Sequence, residues 1–587
     1  MVYRAPVEAM QFTLFQLAGL ADIATLPAFA DVVSHGLVHD ILADAAQFAE
    51  RRMVPLNPVG DCHGCRFRNG KVITPPGFQQ TYRQFIDNGW IGLDLPRKYG
   101  GRSLPGLLAL AVDEMWCSAN LAFSLCPLLT SVVSDVLYQH ADEAVKQRYL
   151  PQLANGQWSA ALALTEAQAS YDFSTVAARA VPTAQGSYRL FGQKIFVAWG
   201  EHDLSENIVH LVLARLADAS SGNGNLALFV VPKYLPDSAG HLNQVNDLRC
   251  LSIEHKLGIH ASPTCLMAYG EREGALGYLV AQTQQAVMPM LTMMNDVCLK
   301  VAIEGVAVAE CAYQYAVHYA RRRVQGNTNK AMPVAIIEHP DVRRMLITMR
   351  AHIEAQRALS YLAAAAMDKA RHHPDEAQRC YYQARVNLLA PIVKAYNADQ
   401  VNQITSLAIQ VYGGRGFIEA SGVAQYYRDA RIMAIDEVNN GIQAIDLLRS
   451  EIIGDAGVSV QQLANEITTT VDLLKAAQLE SLAQPLAKAL QMTRRCIDYM
   501  LTQFPEYSEQ VSVGAWPLLR LMAITLGAWQ LCQAVLVASS MPSAFGAPQR
   551  LMIARFFSEH ILPHSDVLAK RVLYGAPSVL DLPVEIF

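Results

Sequence analysis

In "RDARIMAIDEVNNGIQAIDLL", Arg428 to Leu448, two adjacent acids, Asp436 and Glu437, sit in a mostly apolar run just ahead of Asn-Asn-Gly. Helical patterning lapses at Glu437 and resumes at Ile442. An acid placed there either opens the next helix or serves as a general base held on a loop. Upstream, "YARRRVQG" groups Arg321, Arg322 and Arg323, either a solvated cluster near a helix end or a hold on an anion. "QVYGGRGF" supplies Gly413, Gly414 and Gly416, which let backbone approach an anionic ligand closely. Cys62 and Cys65 in "DCHGC" are close enough to share a metal. No second pair of ligands stands at suitable spacing, so no metal site is expected.

These residues need elements to hold them. Residues from about 7 to 155 read mostly as helices, with three-and-four apolar spacing in "ILADAAQFAERRMV" and "EAVKQRYLPQLANG". From about 160 to 285, "YRLFGQKIFVAW", "NIVHLVLARL" and "NLALFVVPKYL" are short apolar runs separated by turn-rich pieces, as in a β domain. Near 286 the helical period returns and holds. The expected division is 1–158 helical, 159–285 β, 286–454 a helical bundle and 455–587 a further helical domain. The fold class is α+β, mainly α. The absence of βαβ alternation argues against a Rossmann core.

Composition narrows the class. The 587 residues carry 47 basic and 52 acidic side chains, a net charge of −5, with no basic footprint for nucleic acid. Eleven scattered cysteines suit a reducing compartment. The uncharged stretch Leu521 to Met541 is long enough to span a bilayer. Thr525, Gln530 and Gln533 dilute it, so a buried bundle helix is expected rather than a membrane span. With no signal-peptide pattern at the start, a cytoplasmic protein is expected.

Four segments, in order, carry a resemblance. "LALTEAQASYD" (Leu162 to Asp172), "KIFVAWGEHDLSENIVHLVLARL", "YARRRVQG" and "QVYGGRGFIEASGVAQYYRDARI" together resemble the flavin-dependent acyl-CoA dehydrogenases, in particular the long bacterial members of the family. That resemblance implies an N-terminal helical domain, a middle β-barrel or sandwich, a C-terminal four-helix bundle and an additional C-terminal helical domain. It implies FAD held by Leu162, Leu164, Thr165, Phe196, Ala198, Arg323, Gln410, Gly413, Gly414 and Asn439. Arg323 would reach the pyrophosphate of a neighbouring subunit's FAD. Tyr171, Asn295 and Val438 would contact substrate, an acyl-CoA or acyl-carrier thioester. A homodimer and an electron-transfer flavoprotein as acceptor are also implied.

The implied reaction is α,β-dehydrogenation of an acyl thioester, with Glu437 removing the α-proton and the β-hydrogen leaving as hydride to flavin N5. Substrate binding desolvates that carboxylate, which raises its proton affinity and suits a base. The alternative base position seen in some relatives falls on Val297, which cannot act as one. Several residues depart from the family pattern: Ala198, Ser170, Tyr171, Cys298, Val438 and Asn439. Together they point to an unusual acyl substrate or altered flavin chemistry. The reading from a different class is a catalytically silent homologue that acts as a binding subunit.

Overall fold

The hydrophobic period changes near residue 158 and again near 282, and element type changes with it. The computed structural model describes residues 3–170, 172–217, 225–237, 240–281, 283–327, 332–436, 439–541 and 546–586, the side chains of 283–292 excepted. The chain divides into two units. One comprises Asp44–Pro105 and Met115–Val297, the other Val2–Ala43, Gly106–Glu114 and Cys298–Phe587.

In the first unit, helices surround an aromatic cluster. Trp116 meets Phe85 edge-on at 5.3 Å and Trp90 at 5.2 Å between ring centroids, a favoured geometry for aromatic pairs. A hairpin, β1 (Arg66–Arg68) with β2 (Lys71–Ile73), interrupts the helical region.

The strands that follow are β3 (Trp158–Ala163), β4 (Arg179–Pro182), β5 (Tyr188–Ala198), β6 (Asn207–Leu216) and β7 (Leu226–Pro232). A short pair, β8 (Tyr234–Leu235) and β9 (Gln244–Val245), precedes β10 (Leu248–Ile253), β11 (Thr264–Tyr269) and β12 (Ala275–Ala281). Eight of them form one sheet in the order β10-β11-β5-β12-β7-β6-β3, with β4 pairing β5 and β6. β7 is buried along its whole length and β6 along most of it, which accounts for their unbroken Val, Leu and Phe runs.

β5 serves two neighbourhoods. Tyr188–Leu190 pairs with β12, and Gly192–Ala198 with β11. The change of partner falls at Gly192, at φ +145°, where a Cβ would lie 2.8 Å from that of Ala178. Only glycine fits there.

The second unit is helical. Pro340–His372 packs along Glu376–Tyr412, whose start is capped by Asp375 accepting from the Ala377 N–H at 2.8 Å. Inside the bundle, Arg357 donates to Glu114 at 2.7 Å and to Glu310 at 2.9 Å, all three side chains nearly solvent-free. The N-terminal segment groups with these helices, and Phe12 packs on Ala534 and Ala538.

Most of the uncharged stretch lies in the helix Ala515–Ser539, buried against Pro340–His372, Glu376–Tyr412, Val458–Ala476 and Glu480–Val513. Several of its polar side chains have protein partners. Trp529 Nε1 and Gln533 Nε2 donate to Thr470 Oγ1 at 2.8 and 2.7 Å, and Thr525 Oγ1 to the Leu521 carbonyl at 2.8 Å. This helix and Gly106–His140 both have the length and apolarity of a bilayer span, and both are mostly buried in protein.

Candidate active site

Within the first unit, the end of β5 departs from regular geometry. Lys194 stands opposite Met267 and Val197 opposite Cys265, so Ile195 and Phe196 together face one residue of β11. Such a bulge re-aims a side chain. Phe196 takes φ +58° and is 53% exposed. A left-handed backbone at a non-glycine residue costs roughly 1–3 kcal/mol, and such strain clusters at ligand sites.

The bulge is tied to the loop after β3. Ile195 N–H donates to the Thr165 carbonyl at 3.0 Å, and Lys194 Nζ donates to the Leu164 carbonyl at 2.8 Å and to Glu166 Oε1 at 2.7 Å. Glu166 also accepts from the N–H groups of Ala177 and Ala178, at 2.8 and 3.1 Å. Burial opposes its ionisation, but the Lys194 ammonium and these donors outweigh it and hold the carboxyl below its ordinary range. Burial draws Lys194 downward as well. The hydrogen bonds converging on Glu166 fix the pair in its charged form.

Leu162 and Leu164 bury their side chains in the core of this unit, so only their backbone is available to a ligand. Thr165 is buried as well, Ala198 is half-buried opposite Thr264, and Asn295 is half-buried. Ser170 is exposed. Tyr171 lies outside the described residues.

In the second unit, two of the expected anion-binding segments come together. Tyr319 and Tyr412 stack at 4.1 Å with planes 14° apart, joining the segment of Arg323 to that of Gly413. Arg323 is exposed, and its Nη2 donates to Gln325 Oε1 at 2.7 Å. The helix Glu376–Tyr412 ends with the Gly413 N–H donating to the carbonyl of exposed Gln410. Gly413 sits at φ +61°, and no atom stands within 4 Å of where a Cβ would be at Gly413 or Gly414. That open backbone allows close approach of a phosphate-bearing cofactor. Gly416 has a different reason: a Cβ there would lie 2.7 Å from the Ile409 carbonyl, so it serves packing.

The acid segment is anchored on both sides. Arg431–Ala434 is a short 3-10 turn, and a helix begins at Asn440. Asn439 caps that helix, its Oδ1 accepting from the Ile442 N–H at 3.1 Å. Glu437 and Val438 lie outside the described residues. Lys394, fully buried on Glu376–Tyr412, donates to Asp436 Oδ1 at 2.8 Å, the Met433 carbonyl at 2.9 Å and Asn440 Oδ1 at 3.3 Å. Asn440 Nδ2 in turn donates to Asp399 Oδ1 at 2.7 Å and the Ala395 carbonyl at 3.2 Å. Glu304 is buried nearby, and burial, followed by the charge of Asp436, pushes its carboxyl up to about 8. Cys298 is buried, with Sγ donating to Gln443 Oε1 at 3.4 Å.

Sequence reading passed over Lys194, Lys394 and Glu304. A signal was present: each is a charged residue inside an apolar run, "KIFVAW", "LLAPIVKAY" and "VAIEGVAVA", where an ion is retained only with partners or by shedding its charge. A cavity of about 450 Å³ lies elsewhere, between Val458–Ala476 and Glu480–Val513. It includes none of these groups.

Comparison with known proteins supplies the frame. The profile of the acyl-CoA dehydrogenase N-terminal domain matches residues 39–157, that of the C-terminal domain 290–451, and an acetyl-CoA dehydrogenase C-terminal-like profile 463–583. The 3-methylmercaptopropionyl-CoA dehydrogenase of Ruegeria pomeroyi is 38% identical over 591 residues, covering 99% of each chain. Caenorhabditis elegans ACDH-11 in complex with C11-CoA shares the fold at TM-score 0.78, with 16% identity over 96% of this chain and 92% of that one. An acyl-CoA dehydrogenase from Bacillus anthracis complexed with FAD shares it at TM-score 0.75, with 18% identity over 94% and 90%. Helical, β, helical and further helical regions in that order, matched over nearly the whole length, place this chain in the acyl-CoA dehydrogenase family of FAD-dependent oxidoreductases that act on acyl-CoA.

Proposed function

We propose that the protein removes the α and β hydrogens of an acyl-CoA thioester, with Glu437 as the base for the α-proton. The observation that carries this reading is the end-to-end 38% identity to an acyl-CoA dehydrogenase. The anchoring of the chain on both sides of Glu437 by a buried lysine supports it. FAD, when bound, accepts the β-hydrogen as hydride and carries the redox step. Arg323 and the Gly413–Gly414 backbone would hold the phosphates of a neighbouring subunit's FAD. The Phe196 bulge would present an aromatic face to the ring, and the Leu164 and Thr165 backbone would border it. Glu437 takes the proton, and backbone N–H donors stabilise the charge that develops on the thioester oxygen.

The protein acts as at least a homodimer in this reading. Phe417 and Ile418, 87% and 57% exposed beside the glycine turn, give a second copy an apolar surface to cover. An electron-transfer flavoprotein would reoxidise the cofactor. The substrate is a small acyl-CoA of the class named for the bacterial relative.

The test is the purified holoprotein. It should be yellow and release FAD on denaturation. Anaerobic addition of acyl-CoAs, 3-methylmercaptopropionyl-CoA and straight short chains among them, should bleach the flavin. A colourless protein that cannot be reconstituted, or a flavin that no acyl-CoA reduces, rejects the reading.

A further inference from the structure

We propose that Lys394 is a positioning residue for the reaction, a buried cation that holds the segment leading into Glu437 and also reaches the Asn440 side chain after it. The inference deepens the functional reading above and rests on Glu437 as base.

Three observations carry it. First, the Lys394 side chain is entirely withdrawn from solvent, yet the bonds it makes reach out to one short segment. Its ammonium meets the Met433 carbonyl and Asp436 before Glu437, and Asn440 after it. An ammonium donates in several directions at once, so one side chain can hold all of these acceptors. Second, the support behind it is rigid. Lys394 lies inside the long helix Glu376–Tyr412, and the same helix receives Asn440 through Asp399 and the Ala395 carbonyl. Third, the helix that follows is capped locally by Asn439. Its start is therefore fixed without help from residues 437 and 438, and Lys394 is what holds the preceding side.

Charged groups from several elements act on this cation or on the acids around it. Asp436 faces it from the acid segment and Asp399 from its own helix. Glu304 acts on it from Thr283–Arg322, where Lys300 is paired at 2.5 Å with Asp113. Arg431 and Arg520 also act on Asp399. Lys394 is the one of these cations bonded directly to the acid segment among the described residues. Its removal takes a positive charge away from Asp436, and removal of Asp436 has the opposite effect on the local charge.

The experiment measures anaerobic flavin reduction by acyl-CoA as a function of pH in the holoenzyme. Lys394→Met should retain FAD and slow reduction by about tenfold to a hundredfold, as small misplacements of reacting groups do. The ionisation governing the rate should move up by about one pH unit, because an opposing charge is lost. Asp436→Asn, a milder change at a partly exposed side chain, should move the same ionisation down. Combining the two substitutions should bring it back towards the unsubstituted value. If Lys394→Met does not accumulate as folded protein, the opposite-signed shift in Asp436→Asn carries the test.

Unchanged rate and unchanged pH dependence in both variants overturn the proposal. Shifts of the same sign in both do so too, since general loosening of the fold produces that pattern. Glu437→Gln run in parallel separates the two claims. If it reduces flavin normally, the base assignment fails and the positioning role with it. If it is inactive while the Lys394 and Asp436 variants behave like the unsubstituted enzyme, the positioning role alone fails.

Discussion

Glu166 and Lys194 form an ion pair at 2.7 Å with both side chains almost fully withdrawn from solvent. The pair joins the loop after β3 to the bulge that turns Phe196 outward, so one electrostatic contact sets the border of the proposed flavin site.

Breaking one side of that pair should be costly. Lys194→Met leaves a buried carboxylate without its counter-charge, a change worth about 3–5 kcal/mol. Chemical denaturation should show that loss, with part of it recovered when Glu166→Gln is added. A loss below about 1 kcal/mol would mean the pair contributes no more than a surface one. The acid side has a definite sign as well. The folded-state value of Glu166 lies below the ordinary 4.5, so its contribution is complete above 4.5 and fades as pH falls through the folded value.

Glu304 should behave in the opposite sense. Its carboxyl is raised from 4.5 to about 8 by burial. Below 4.5 both states are protonated and nothing is lost. Between 4.5 and about 8 the unfolded chain ionises and the folded one does not, so stability falls by up to about 1.4 kcal/mol per pH unit. Glu304→Gln keeps the shape and removes the ionisation. Denaturation midpoints across that window should be flatter in the variant, and an identical slope in both proteins would refute a buried neutral acid.

Arg323 is exposed, so its replacement should leave the fold intact. Arg323→Ala should lower the flavin bound per chain and raise the FAD concentration needed for reconstitution, with the unfolding midpoint of the flavin-free protein unchanged. Gly413→Ala should weaken FAD binding for another reason: alanine at φ +61° is strained by roughly 1–2 kcal/mol. Full flavin content in both variants would move the phosphate site elsewhere.

Much of the fold was legible because its signals are periodic. Unbroken Val, Leu and Phe runs mark β6 and β7, and three-and-four spacing marks the long helices. The β1–β2 hairpin escaped because strands of three residues are too short for a period-two signal. The joining of Phe12 to Ala534 and Ala538 escaped because it links distant parts of the chain that no local pattern connects. At the site, Gly413 was readable as a turn glycine. Gly416 was grouped with it, although the Ile409 carbonyl is what excludes a side chain there. Lys394 was visible only as an isolated charge in an apolar run, and acceptors such as the Met433 carbonyl and Asn440 lie 39 to 46 residues further along.

The most direct test of the account is the rate of anaerobic flavin reduction by acyl-CoA in the unsubstituted holoenzyme and in Glu437→Gln. The account predicts equal FAD content per chain, rapid bleaching in the former, and a rate about 10²–10⁴-fold lower in the latter, the range a general base contributes. Bleaching of Glu437→Gln at the unsubstituted rate would contradict it.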